Sequence, residues 1–116
     1  MKKTITLDSE YKVSNKNVYL TVIIGEAQPG SSIVEINGKR IKKGKISDLK
    51  LGIGNSLIGK KLNIFTTVQD YWVNHNNTSV TAILQGGAET KKYYCFATVD
   101  VDKDFIDYDY NIDFKN

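Results

Sequence analysis

The residues best suited to nucleophilic catalysis are few and lie far apart in the chain. His75 is the only imidazole and Cys95 the only thiol among 116 residues. Asp70 and Ser79 lie near His75 in sequence, but a catalytic set requires nucleophile, base and orienting group in mutual contact. Cys95 alternates with apolar residues, a pattern typical of a buried, inert thiol. We therefore predict that the protein is not an enzyme; the plentiful carboxylates leave an acid-based active site as a third, weaker hypothesis.

Two segments resemble phosphate- and metal-binding motifs but break at the residues that carry the chemistry. Residues 54–61 have the glycines and lysine of a phosphate-binding loop, yet Lys61 replaces the hydroxyl residue that would hold magnesium. Asp100–Asp107 begins like a calcium loop, but Phe105 and Asn111 replace its glycine and its last glutamate. We expect no cofactor and no dedicated metal site, with a loose surface calcium contact as the remaining alternative.

A cluster of basic residues offers a candidate binding surface. Five of the seven positions from 39 to 45 are basic, namely Lys39, Arg40, Lys42, Lys43 and Lys45, which we call the basic segment. Such a cluster can bind an acidic protein surface or nucleic acid, while its simpler role is to protect a sheet edge from unwanted pairing. A net charge of only +3 and the absence of an aromatic residue in the segment favour edge protection. Of the two binding roles, an acidic protein partner is favoured over nucleic acid.

Charge is distributed unevenly along the chain. Residues 1–61 contain 12 Lys and Arg against 5 Asp and Glu, whereas residues 62–116 contain 4 against 8. If the two regions occupy opposite edges of a sheet, the basic edge of one molecule can meet the acidic edge of another. The hypothesis that follows is salt-sensitive self-association, or docking on an acidic partner.

A second candidate surface is a polar segment with two aromatic residues. Its members are Tyr71, Trp72, Asn74, His75, Asn76 and Asn77. Exposed aromatic rings beside amide side chains can stack on sugar rings or anchor a protein interface. A carbohydrate-type binding module is therefore the alternative functional hypothesis.

The elements that position these residues are predicted to be strands. From Ile106 to Phe114 every even position is apolar and every odd one is Asp or Asn, which predicts a strand with its acids on the outer face. Similar alternation marks residues 17–24, 62–69, 79–85 and 93–102. No stretch has the period of a substantial helix.

Glycine and polar residues separate these strands. Asn37-Gly38 predicts a tight hairpin, and we expect two more hairpins, through residues 70–77 and through 102–104. The segment Gly52–Gly59 is expected to be a loop or a bulged crossing. About eight short strands at this spacing predict an antiparallel β-sandwich or flattened barrel, formed as one domain by residues 1–116.

The compartment and the overall role are inferred from what the sequence contains. A single cysteine favours a reducing compartment, Asp8 interrupts the apolar run that a signal peptide would need, and no run reaches the length of a membrane span. We expect a cytoplasmic protein that acts through protein–protein contacts, as a structural or accessory subunit of a bacterial assembly.

Overall fold

The structure, a computed structural model, describes residues 3–26, 28–71, 76–99 and 104–116. Strands dominate because β-branched and aromatic side chains alternate with polar ones. The elements are, in chain order, β1 (Lys3–Lys12), β2 (Asn17–Ile24), β3 (Gly30–Ile36), β4 (Lys39–Gly44), β5 (Leu49–Ile53), α1 (Gly54–Leu57), β6 (Lys61–Gln69), β7 (Asn77–Gln85), β8 (Lys91–Thr98) and β9 (Phe105–Lys115).

The strands form two sheets that enclose the core. The first sheet has the order β1-β9-β6-β3-β4, and the second has the order β5-β2-β7-β8. Alternate residues of each sheet are buried, for example Leu62, Ile64 and Val68 on β6 and Val18 and Leu20 on β2. These side chains belong to one hydrophobic cluster between the sheets. The predicted all-β sandwich is therefore confirmed, with nine strands in the described part of the chain.

One strand pair is parallel, contrary to the expectation of a purely antiparallel sheet. β1 runs alongside β9 over its whole length, from Lys3 opposite Ile106 to Lys12 opposite Lys115. Parallel partners need no turn between them, so no local signal in the sequence marks the pair. β9 thereby lies between β1 and β6 instead of at an edge.

Two of the three predicted hairpins are wrong, and one is confirmed. β3 and β4 form the Asn37-Gly38 hairpin. β6 lies in the first sheet and β7 in the second, so residues 70–76 connect two sheets rather than two paired strands. β8 and β9 are likewise in different sheets. A short connection is compatible with either arrangement, so its residues alone do not show whether it stays within one sheet or crosses to the other.

The segment expected as a loop between Gly52 and Gly59 contains regular structure. β5 ends at Ile53, and α1 forms a single helical turn that buries Leu57. This four-residue turn is the only helix in the described part of the chain, and it is far too short to cross a membrane. β6 then begins at Lys61, which confirms the predicted strand at this position. A phosphate-binding loop would be followed by a helix there.

The register of β9 is as predicted on its inner face. The five apolar residues of that face, Ile106, Tyr108, Tyr110, Ile112 and Phe114, are all buried. On the outer face one expectation is wrong, because Asp107 is only 5% exposed. Its carboxylate accepts a hydrogen bond of 2.8 Å from the hydroxyl of Thr67 on β6. A central strand has neighbours on both sides, and they cover a side chain that an edge strand would expose.

We expect Asp107→Ala to lower the free energy of unfolding by about 1–3 kcal/mol, because it removes the hydrogen bond between the half-buried hydroxyl of Thr67 and a buried, charged acceptor. The matched variant Asp113→Ala removes a carboxylate that is 49% exposed and should cost less than about 0.5 kcal/mol. Urea unfolding followed by circular dichroism measures both. Equal costs would show that Asp107 is not covered in solution.

Four buried tyrosines hold their hydroxyl groups in hydrogen bonds. Tyr110 donates to the carbonyl oxygen of Val80 at 2.7 Å, and Tyr93 donates to that of Glu10 at 2.7 Å. Tyr11 and Tyr108 are also buried and hydrogen-bonded. Burial raises the pKa of all four phenols, since it disfavours the charged phenolate.

Candidate functional site

The basic segment lies on an edge of the first sheet. Its hairpin turn has Asn37 and Gly38 at φ values of 50° and 82°, the left-handed conformation that a two-residue turn needs. The side chain of Asn37 also accepts a hydrogen bond of 2.8 Å from the backbone of Lys61, which fixes the turn against β6. β4 pairs with β3 on one side and has no strand partner on the other in the described part of the chain.

All five basic side chains are exposed, and they point to both faces of the sheet. Arg40 lies opposite Glu35, and Lys43 lies opposite Ile33. A register shift beside Glu35 places an extra residue in β4; such a bulge bends and twists an edge strand. None of the five basic residues has an ion-pair partner among the described residues.

The inner side of β4 faces an opening between the two sheets. One groove of about 540 Å³ is lined by part of β2, the start of β3 and residues 44–47. A second of about 390 Å³ lies between β4 and β5, where Ile36, Ile41, Leu51 and Leu57 form part of its lining. Lys39, Arg40, Lys45 and Lys60 also line these grooves. We call this side of the sandwich, between β4 and β5, the open side.

The opposite side, between β1 and β8, is joined by hydrogen bonds. Tyr93 on β8 donates to the carbonyl of Glu10 on β1. The hydroxyl of Tyr11 donates to the carbonyl of Glu89 at 2.6 Å and accepts from the backbone N–H of Gly87 at 2.9 Å. A groove of about 410 Å³ lies on this side as well, beside Glu10, Tyr11 and Glu89, so what distinguishes the open side is the basic segment that lines its grooves.

Acidic residues are concentrated toward the other edge of the first sheet. Asp8 and Glu10 on β1 are exposed, and Asp109 and Asp113 on β9 are partly exposed, all on the outer face. We call these four residues the acidic flank. Lys12 and Lys115 lie one row beyond it, and Lys61 is 4.0 Å from Asp113. With neighbouring strands about 4.8 Å apart, β4 is about 14 Å from β9, so the charges that are separated in sequence are also separated in space.

The candidate sugar-binding segment lies only partly within the described residues. Trp72, Asn74 and His75 lie outside the described residues. Tyr71 is 49% exposed, and its backbone N–H donates to the side chain of buried Gln28 at 2.9 Å. Asn76 and Asn77 are half-buried. The described ends of the segment are thus attached to the sandwich through Gln28, which also donates to Asp70 at 3.0 Å.

The groups considered for catalysis are not assembled by the described residues. Asp70 is buried against Gln28, and Ser79 is buried on β7. Cys95 lies on edge strand β8 and is half-buried, whereas the sequence predicted a buried thiol. Among the described residues no group of three or more His, Cys, Asp or Glu could hold a metal ion. Asp100 and Asp102 of the calcium-loop resemblance lie outside the described residues.

The structure adds one surface that the sequence analysis did not identify. Tyr94 and Phe96 on β8 are 58% and 50% exposed, and Ile23 on β2 is 49% exposed. Thr81 on β7 lies opposite both Ile23 and Tyr94, so these two side chains share a row on the outer face of the second sheet, and Phe96 lies on the same face, opposite Ser79. In the sequence, this surface is indicated only by the alternate aromatic residues Tyr94 and Phe96.

Comparison with known proteins gives no relative. No protein-family model matches the chain, and no curated protein or solved structure is significantly similar to it.

Proposed function

We propose that the protein is a non-enzymatic structural or accessory subunit that acts through protein–protein contacts, with the basic segment as its contact surface. The observation that carries this proposal is the placement of five exposed basic residues on a free sheet edge, without ion-pair partners in the described part of the chain. Such a surface attracts an acidic one, and the attraction weakens as salt is added.

The partner that the molecule itself offers is a second copy. The acidic flank and the basic segment are at different ends of one sheet, so a contact between them joins unlike surfaces of two molecules. Such a head-to-tail contact closes into a ring or continues as a filament. Edge protection remains the competing role of the lysines, since charged side chains on an edge strand prevent pairing with an identical edge.

We expect the protein to self-associate at low salt and to dissociate at high salt. Sedimentation velocity over a range of protein concentrations measures this, at ~0.01 M salt, where the screening length is ~30 Å, and at 1 M, where it is ~3 Å. Because the contact depends on the basic segment, the double variant Lys42→Glu/Lys43→Glu should be monomeric at both salt concentrations.

The matched control is Lys16→Glu/Lys92→Glu, which makes the same change in net charge at two exposed lysines outside the segment. It should associate like the unmodified protein. A protein that is monomeric at low salt, or one whose association survives the reversal of Lys42 and Lys43, would leave the basic segment with edge protection alone.

A further inference from the structure

The larger groove of the open side has features of a binding site for an extended chain. It measures about 540 Å³ and lies between β2 of the second sheet and the β3–β4 hairpin of the first. Val22, Ile24, Pro29 and Ile46 give it an apolar lining. This volume is in the range of sites that enclose small ligands or a few residues of a peptide.

One wall of the groove is an unpaired stretch of strand. β5 pairs with β2 only from Asn17 to Leu20. Beyond it, the N–H of Val22 donates to the carbonyl of Ile46 at 3.0 Å, so the backbone groups of Val22 and Ile24 point to the groove side. The carbonyl of Val22 and the N–H of Ile24 have no backbone partner among the described residues. They offer an acceptor and a donor to a further strand.

A buried hydroxyl pair provides a third polar group. Ser32, which lines the groove, is 2% exposed, and its Oγ lies 2.7 Å from Oγ1 of Thr66. Two hydroxyl groups carry two protons, and the bond between them uses one. Neither residue has another side-chain hydrogen bond within the described structure. When Thr66 donates to Ser32, the proton of Ser32 is available to an acceptor in the groove.

The positive charge at the groove favours an acidic peptide. Lys45 lines it, and the rest of the basic segment continues from there along β4. We propose that this groove binds an extended peptide segment with a carboxylate side chain, which pairs with the free edge of β2 and places its acid against Lys45 and Ser32. This proposal specifies an acidic strand as the partner of the contact surface proposed above, and it therefore rests on that function.

The test is a titration followed by the amide signals of the protein in two-dimensional NMR. The probe is a capped pentapeptide, Thr-Val-Glu-Val-Thr, and its control is the same peptide with lysine in place of glutamate. We expect the acidic peptide to shift the amide signals of Val22, Ile24 and Ile46 in a saturable way, whereas the basic peptide leaves them unchanged.

Two variants with matched controls identify the groups that bind. Ser32→Ala should weaken binding roughly tenfold, the effect of one hydrogen bond to a charged group, while Ser31→Ala, next to it and exposed, should not. Lys45→Glu should abolish binding, and Lys92→Glu should preserve it. Thermal unfolding of each variant shows whether it is folded.

Three outcomes overturn the proposal. They are the absence of groove shifts at millimolar acidic peptide, equal binding of the two peptides, and groove shifts that follow protein concentration without peptide, which would assign the groove to a second copy. Salt-sensitive association that depends on Lys42 and Lys43 can persist when the peptide result is negative, so the two proposals fail separately.

Discussion

Raising the pH above about 10 is expected to unfold the protein steeply. Unfolded tyrosine ionises near pH 10, whereas burial raises the pKa of Tyr11, Tyr93, Tyr108 and Tyr110 in the native state. Above pH 10 the unfolded chain therefore binds fewer protons than the folded one, and stability falls with pH. Each phenol contributes up to about 1.4 kcal/mol per pH unit above 10, so the four together contribute up to about 6 kcal/mol per pH unit.

This loss is comparable to the whole stability of a small domain, about 5–15 kcal/mol. Below pH 10 the same contribution is fully present, and these phenols give no pH dependence. Urea unfolding at about pH 9, 10 and 11 measures the change, and ultraviolet absorbance of phenolate shows when ionisation occurs. Phenolate from more than three of the seven tyrosines in the folded protein near pH 10, without loss of stability, would contradict the buried positions of these four rings.

Replacing Tyr110 with alanine is expected to lower the free energy of unfolding by about 3–5 kcal/mol, the usual cost of removing a large buried aromatic ring. The ring is fully buried on the central strand β9. It packs edge-on against Tyr108, with ring centroids 6.4 Å apart. Its hydroxyl also bonds to Val80 on β7, so it connects the two sheets. Chemical unfolding monitored by circular dichroism gives the value.

The variant Tyr110→Phe separates the ring from its hydroxyl. It keeps the packing but leaves the carbonyl of Val80 without this donor, so we expect a loss of about 1–2 kcal/mol. Asp109→Ala, one residue away on the outer face, should cost less than either, because Asp109 is partly exposed. If the alanine variants at 109 and 110 ranked in the opposite order, the register of β9 would be shifted by one residue.

The parts of the fold that are encoded locally could be predicted from the sequence. The alternation along residues 106–114 identifies the buried face of β9, and Asn37-Gly38 identifies its hairpin, because both signals come from neighbouring residues. The assignment of strands to sheets could not be predicted. A short connection can join strands within a sheet or across the sandwich, and the parallel pairing of β1 with β9 joins distant segments.

The candidate site could be predicted from the sequence only in part. The basic segment is visible as a cluster of charges, and the hairpin places it on a strand. Its position at an edge, and the grooves beneath it, depend on where β4 and β5 end up in the two sheets. Ser32 carried no signal at all, since a serine in a strand is ordinary until its inward orientation and its contact with Thr66 are known.

The central position of β9 has a consequence for synthesis on the ribosome. Until residues 105–115 have left the exit tunnel, β1 lacks the strand beside which it lies and β6 lacks one of its two neighbours. The hairpin of β3 and β4 can form early, because its partners are adjacent in sequence. Completion of the first sheet must follow translation of β9, and the nascent chain meanwhile exposes strand edges to which a chaperone can bind.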